Sequence, residues 1–410
     1  MDGSSGDRAA AVSFRQLRLF AAIGELKSVR RASEECSVSQ PAVTQALAKF
    51  EEQIGSTLVD RRASGSYLNE CGQLLHARVT RFFEQVEQAV IEAGSASSPA
   101  SARPIVNRFT RSQIRTLLGA IDHGSFDRAA EMLAISSSSL QRAARDLEGN
   151  LGTPLFYRTA AGLLVSPAGT QFGRRMRLAL QEIEWGIDEV EAALGGSSRQ
   201  IVIGAMPFGG SVLLASVIDR FLERHPGADI RIVNDSAPEM KKSLREGDVD
   251  LVIGLLPDRL DDGVDGLPLA RTPYSVVVRR GHPLTRKGRL EMADLRTHDW
   301  VVGTAGSSRR AAFDGLFAQD GGCKAQIATC ALTVLQHLLK TSDRLTLMTS
   351  YELEHGDDDL RPLPFVPILP VPSIGLMTRT NWLPTRLHSD FIDIVRAQIA
   401  QRPAALREAG

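Results

Sequence analysis

Residues 28–61 read SVRRASEECSVSQPAVTQALAKFEEQIGSTLVDR, and residues 125–158 read SFDRAAEMLAISSSSLQRAARDLEGNLGTPLFYR. Laid over one another without a gap, ninety-seven positions apart, Ser28 falls on Ser125 and Arg31-Ala32 on Arg128-Ala129. Glu34 likewise falls on Glu131, Ser39 on Ser136, Ala46 on Ala143 and Glu51 on Glu148. The match extends to Phe14–Gly72 over Arg111–Gly169, joining Gly55 to Gly152, Leu58 to Leu155, Arg61 to Arg158, Gly65 to Gly162 and Gly72 to Gly169. Apolar positions follow the same register: Leu17 with Ile114, Phe20 with Leu117, Val38 with Ile135, Phe50 with Leu147, Ile54 with Leu151. One ungapped register of this length identifies a duplicated segment.

Each copy reads as helices. Phe14, Leu17, Phe20, Ala21 and Ile23 form an apolar stripe at helical spacing. A short helix follows at about Val29–Cys36, and a third is expected from Gln40 to Ile54, with Ser39 as N-cap, Pro41 in the first turn and Gly55 after the end. Helix, tight turn and helix set one element across another and leave it protruding. Leu58–Leu68 places arginines around a glycine turn, which suits a short β-wing. A long helix closes each copy, with Leu75, Val79, Phe82, Val86, Ala89 and Ala93 in one and Phe172, Met176, Leu180, Ile183, Ile187, Val190 and Leu194 in the other. Apolar residues alternating at three and four describe a pairing seam.

After residue 198 the pattern changes to short strands alternating with helices, at Ile201–Gly204, Val212–His225, Ala228–Val233, Glu239–Glu246 and Asp250–Gly254. That order predicts a parallel sheet. A second α/β block is expected from about Tyr274 to Val366, with the tail returning to the first.

The chain carries 48 Lys+Arg and 48 Asp+Glu, so bulk charge leans against a nucleic-acid binder without excluding a few placed cations. Cys36, Cys71, Cys323 and Cys330 form no CxxC pair and read as reduced thiols, with Cys323/Cys330 a minor redox candidate. No export signal and no apolar run of roughly 18 residues is seen, so a soluble cytoplasmic protein without membrane contact is expected. Walker, GxSxG and HExxH patterns are missing, which speaks against an enzyme, and no cofactor or metal is expected.

Ala32-Ser33-Glu34-Glu35…Ser39-Gln40-Pro41-Ala42-Val43-Thr44…Phe50-Glu51…Ile54-Gly55…Leu58-Val59…Arg61 resembles the DNA-binding domain of LysR-type transcriptional regulators. Ser125-Phe126…Ala129-Ala130…Leu147-Glu148…Leu151-Gly152-Thr153-Pro154-Leu155-Phe156…Arg158…Ser166-Pro167-Ala168-Gly169 resembles it again, and Arg280-Gly281-His282-Pro283-Leu284 is similar to the family's effector domain. Family members ordinarily hold one DNA-binding domain. The first copy has Val59 where Phe is usual and Asn69-Glu70-Cys71-Gly72 before its long helix; the second opens its recognition helix with Ser136-Ser137-Ser138-Ser139.

The resemblance implies a mixed fold: two helix-rich winged helix-turn-helix domains with long linker helices, then a two-lobed α/β effector domain of periplasmic-binding-protein type. The expected divisions are 12–72 and 107–169 for the winged domains, 73–93 and 170–194 for the linker helices, and 94–106 for a flexible connector. The effector domain takes 199–400, with 199–270 plus 367–400 in lobe I and 271–366 in lobe II. A recognition helix meets base edges through its N-terminal residues. The DNA-binding candidates are therefore Ser39, Gln40, Pro41, Thr44, Gln45, Lys49, Arg61 and Arg62 in copy one, and Ser137, Gln141, Arg142, Arg145 and Arg158 in copy two. Ligands of open α/β sheets sit at strand carboxyl ends and helix N-termini. That selects Met206, Pro207, Phe208, Gly209, Ala237, Gly254, Thr304, Ser307 and Ser308 for the effector, with Arg309 and Arg310 as helpers for an anion.

Double-stranded DNA and a small-molecule effector, a sugar or an aromatic acid, are the expected partners, in a homo-oligomer, with RNA polymerase a further candidate. Extended at ~3.3 Å per residue, the connector spans roughly 40 Å, comparable with roughly 34 Å between half-sites one turn apart. The two copies are thus expected to pair within one chain and read an asymmetric site. Two alternatives stay open: copy two as a dimerisation module, and a ligand-sensing regulator that acts through protein contacts without DNA.

Overall fold

The computed structural model describes residues 5–159, 162–196, 200–207, 209–257, 259–318, 322–323, 325–355 and 358–401. It divides into two units, residues 1–198 and 199–410.

In the first unit α1 (Ser5–Ala11) leads into α2 (Phe14–Leu26), α3 (Val29–Glu35), α4 (Gln40–Ile54), the hairpin β1 (Val59–Arg62) and β2 (Gly65–Leu68), and α5 (Glu70–Glu92). After α6 (Pro99–Val106) the order recurs as α7 (Arg111–His123), α8 (Phe126–Leu133), α9 (Ser137–Leu151), β3 (Phe156–Thr159), β4 (Gly162–Val165) and α10 (Pro167–Ala193). The local chemistry recurs with it. Ser13 and Thr110 close capping boxes with Gln16 and Gln113, while Ser28 and Ser125 cap the second helices. Gly55 and Gly152 end the third helices at φ 82 and 77°, a left-handed geometry that costs glycine little.

Two further devices lock each hairpin to its helices. Glu51 Oε1 accepts the amides of Leu58 and Val59 at 2.7 and 3.2 Å, and Glu148 Oε1 accepts those of Leu155 and Phe156 at 2.7 and 2.9 Å. A Cβ on Gly72 would stand 2.1 Å from the Leu58 carbonyl oxygen, and one on Gly169 would stand 2.3 Å from that of Leu155. Only glycine permits that approach.

One buried apolar cluster runs from Ala9 to Val190 through both copies. Two expected boundaries change. The long helices start at Glu70 and Pro167, because Asn69 and Ser166 cap the amides of Gly72 and Gly169; residues 70–72 and 167–169 belong to the helices. The connector is not extended throughout: Ser98 and Ser101 form a capping box, Pro99 occupies the first turn, and Ala102 and Val106, four apart, are buried in the shared core. Its helix α6 packs on α5, while α1 packs on α10.

In the second unit β5 (Gln200–Ala205), α11 (Gly209–Arg224), β6 (Asp229–Asn234), α12 (Ala237–Glu246), β7 (Leu251–Leu255) and β8 (Val264–Arg271) build the first lobe. The chain then forms β9 (Tyr274–Arg279), α13 (Met292–Arg296), β10 (Val301–Val302), α14 (Ser308–Leu316), β11 (Ile327–Ala328), α15 (Leu332–Lys340), β12 (Thr346–Thr349), α16 (Ser350–Glu354) and β13 (Leu360–Pro362). It returns through β14 (Ser373–Arg379) and α17 (Arg386–Ala400). The first sheet has the order β6-β5-β7-β14-β8.

The expectation of a parallel sheet holds only for β5 with β6 and β7; the returning β14 runs antiparallel to β7 and β8. The second lobe holds an antiparallel sheet β12-β9-β13 and the parallel pair β10-β11. Among the described residues no helix is long and apolar enough to cross a membrane.

Candidate nucleic-acid interface and ligand cleft

Val43, Leu47, Phe50 and Ile54 fix one face of α4 in the core. The opposite face presents Gln40, Pro41, Gln45, Ala48 and Lys49 exposed, with Thr44 half-buried among them. Ser39 holds the N-cap backbone geometry, yet its hydroxyl makes no cap hydrogen bond. On α9 the buried face is Leu140, Ala144, Leu147 and Leu151, and the outward row is Ser138, Gln141, Arg142, Arg145 and Asp146. Ser137 stands apart from that row: it is half-buried and donates to Asp127 Oδ1 at 3.3 Å, so Ser138 takes the position that Pro41 holds on α4. Arg145 Nε donates to the Gln141 carbonyl at 3.3 Å.

In the hairpins Arg61 and Arg158 are exposed. Arg62 lies 3.5 Å from Asp60 and over the Tyr67 ring at 5.6 Å, an exposed pair that adds little stability and leaves its charge at the surface.

The two long helices pack antiparallel. Arg78 donates to Glu189 at 2.8 and 3.0 Å, and Arg175 donates to Glu92 at 2.7 and 2.8 Å. Between these pairs Gln85 donates to Glu182 at 2.9 Å. Under the ninety-seven-residue register Arg78 is equivalent to Arg175, Glu92 to Glu189 and Gln85 to Glu182. Residue i thus meets j while j's counterpart meets i's, the signature of a two-fold interface. Here both partners of each contact lie in one chain, and the Gln85–Glu182 contact lies midway between the two ion pairs.

The pairing is not fully symmetric. Arg78 is 1% exposed, adds a 2.9 Å bond to Glu182 and stacks 5.5 Å from Trp185, whereas the Arg175 side chain is 47% exposed. Burial works against the Arg78 charge, but hydrogen bonds and attraction to Glu189 and Glu182 outweigh it and hold its pKa above the ordinary value. A Cβ on Gly186 would stand 2.8 Å from Leu75 Cδ1, so this glycine sets how closely the helices approach.

The second unit contains an open cleft between its lobes, about 600 Å³ of empty space with open solvent included. Met206, Pro207, Ser236, Ala237, Lys241, Leu255 and Pro257 line it from the first lobe, and Gly303, Thr304, Gly306, Ser307, Ser308, Arg309, Thr329 and Cys330 from the second. Ser236 and Ser307 are the N-caps of α12 and α14, so two helix N-termini open on one space, and helix amides there favour an anion. Ser307 caps the Arg310 amide, while the Ser236 hydroxyl makes no cap bond.

Six of the expected effector residues line the cleft: Met206, Pro207, Ala237, Thr304, Ser307 and Ser308. Gly209 and Gly254 do not. The Gly209 amide is taken by Glu352 at 3.0 Å, and Met206 covers Gly254 so closely that a Cβ would meet it at 2.4 Å. Phe208 lies outside the described residues. Arg309 lines the cleft, but its guanidinium is committed to both Glu352 oxygens at 2.8 Å and to the Leu347 carbonyl. Arg310 pairs with Asp314 at 2.9 Å.

Sequence reasoning missed Ser236, Lys241, Pro257, Thr329 and Cys330. Ser236 had a signal, a serine before Ala237-Pro238 at a helix start. The four cysteines are free, and burial raises the Cys36 and Cys323 thiols, the opposite of an activated thiolate.

The family model described as bacterial regulatory helix-turn-helix protein, lysR family, matches residues 14–73 and 112–170, and the LysR substrate binding domain matches 194–400. The HTH-type transcriptional regulator GalR of Pseudomonas putida is 31% identical over 376 residues, 90% of this chain and 92% of its own. The regulator GbpR of Rhizobium radiobacter is 27% identical over 213 residues, 51% of this chain and 70% of its own. A full-length OxyR variant from Pseudomonas aeruginosa superposes with a TM-score of 0.52 at 18% identity, covering 73% of this chain and 97% of that one, a likeness of fold.

Proposed function

This chain belongs to the LysR family of bacterial DNA-binding transcriptional regulators with an effector-binding domain, and from that premise we propose how its duplicated half is used. Both copies are winged helix-turn-helix modules that read DNA. They are held as an intrachain pseudo-dimer by α5 and α10, so that one chain addresses two unlike half-sites. The observation that carries this reading is the reciprocal pairing of Arg78 with Glu189 and Arg175 with Glu92 about Gln85–Glu182. Such reciprocity is what a two-fold pairing of the copies requires, and it supports the reading. Gln40, Thr44, Gln45, Gln141, Arg142 and Arg145 meet bases, and Lys49, Arg61, Arg62 and Arg158 meet phosphates.

The cleft receives the effector. Two helix N-termini, the Ser236 and Thr304 hydroxyls and the apolar walls of Met206, Leu255 and Pro257 suit a small organic acid with an apolar or ring body. Of the two classes expected from sequence, this favours the aromatic acid over a neutral sugar.

One titration tests both parts. The full chain is mixed with labelled duplex selected from random sequence, between 50 and 200 mM salt, with and without a panel of aromatic carboxylates and their methyl esters. Affinity is expected to fall on the order of 10³-fold or more across that range, as counterion release at several phosphates requires. Arg61→Ala and Arg158→Ala each flatten the slope by about one unit. An acid, but not its ester, changes the affinity. A flat salt response would remove the DNA-reading role, and equal effects of acids and esters would remove the anion assignment.

A further inference from the structure

The two recognition helices are built alike and armed differently. Counted from their first residues, Gln40 and Ser137, the outward rows align as Pro41 with Ser138, Thr44 with Gln141, Gln45 with Arg142 and Ala48 with Arg145. Gln45 and Arg142 are both exposed, hold the same turn of their helices and make no hydrogen bond or ion pair among the described residues. Each is therefore free to turn its head group toward a groove.

Base edges discriminate between these head groups. A glutamine amide pairs bidentately with the N6 and N7 edge of adenine, whereas a guanidinium pairs with O6 and N7 of guanine. Alanine and the threonine methyl group touch the thymine methyl. The row Thr44, Gln45, Ala48 therefore suits A·T pairs, and the row Gln141, Arg142, Arg145 suits a half-site containing G·C.

Resting on the reading that both copies enter DNA, we infer that the two half-sites differ in a defined way. The arm held by copy one carries an A·T pair opposite Gln45, and the arm held by copy two carries a G·C pair, guanine toward Arg142, at the equivalent position. The asymmetry also fixes direction. The pseudo-dimer binds its operator in one orientation, with copy one on the A·T-rich arm.

Selection from random duplex DNA with the full chain is expected to return a motif with two unequal arms of this composition. Arg142→Gln turns the G·C preference of one arm into A·T and leaves the other arm unchanged. It weakens binding to the original site roughly 10- to 100-fold, and a matching G·C to A·T change in the DNA restores it. Gln45→Arg makes the reciprocal change in the other arm. Both side chains are exposed, so neither substitution disturbs a core. Identical arms for the wild-type chain overturn the base assignment, as does an unaltered motif for a DNA-binding Arg142→Gln chain; either leaves DNA reading intact. A wild-type chain that binds no duplex with a steep salt dependence removes the reading and the assignment together.

Discussion

Replacement of Arg78 by alanine is expected to lower the unfolding free energy of the N-terminal unit by about 3–5 kcal/mol, while the same change at its sequence counterpart Arg175 costs less than about 1 kcal/mol. The difference follows from burial. Arg78 and Glu182 have side chains 1% and 2% exposed, and both Arg78 and Gln85 donate to the Glu182 carboxylate. Removing the guanidinium leaves the Glu182 carboxylate buried without the Arg78 charge, which is costly. Arg175 and Glu92 are 47% and 25% exposed, so water takes over when either is removed. The double change Arg78→Leu with Glu182→Leu is expected to recover only part of the loss: it removes the buried Arg78–Glu182 pair, but Glu189 and Gln85 still lose their partners. Urea-dependent hydrogen exchange of α5 and α10 reads the effect on the seam. Equal losses at Arg78 and Arg175 would mean that the seam is not buried in solution.

The triple change Gln141→Ala, Arg142→Ala and Arg145→Ala is expected to weaken binding to a two-armed site at least about 100-fold with copy one untouched. Two modules held on one rigid scaffold gain about 10²–10⁴ in affinity from the high effective concentration of the second. Losing the contacts of α9 forfeits that gain as well as the contacts themselves. These side chains are exposed or half-buried at the protein surface, so folding is not at stake. The corresponding loss on a duplex carrying only the arm of copy one should be small. Unchanged affinity on the two-armed site would instead make copy two a dimerisation module, the alternative that the run Ser136–Ser139 left open.

Much of the first unit was legible in the sequence because its local chemistry repeats. Ser28 and Ser125 cap, Gly55 and Gly152 terminate, and the paired glycines 72 and 169 admit a backbone that no side chain would. The α6 helix was hidden by composition. Its segment is rich in Ser, Ala and Pro, and of its helix Ala102 and Val106 are buried in the core with Ile105 packed against it, yet Ser98-Pro99 is a helix-start signal. The strand β8 was missed because Pro268 interrupts its pattern, and proline is tolerated there because β8 lies at the sheet edge.

The buried charges of the seam were not read at all. Periodicity registers apolar residues and passes over an arginine inside the stripe. The repeat register held the clue, since it carries Arg78 onto Arg175 and Glu92 onto Glu189, opposite charges placed symmetrically about Gln85. In the effector unit, strand ends and helix starts located the cleft. Gly209 and Gly254 do not line that cleft, and sequence position does not show that an amide is already bonded or that a neighbour covers it.

A single chain can address two half-sites in this way only if α5 pairs with α10 of the same chain. Chains carrying Glu92→Cys and Arg175→Cys, grown separately in light and heavy nitrogen, are unfolded together, refolded and joined with a short bifunctional maleimide. The side chains at these positions approach to 2.7 Å and are accessible. The linked peptide containing residues 92 and 175 should be found wholly light or wholly heavy. A large fraction of light–heavy hybrids would show that the helices pair between chains and would contradict the intrachain pseudo-dimer.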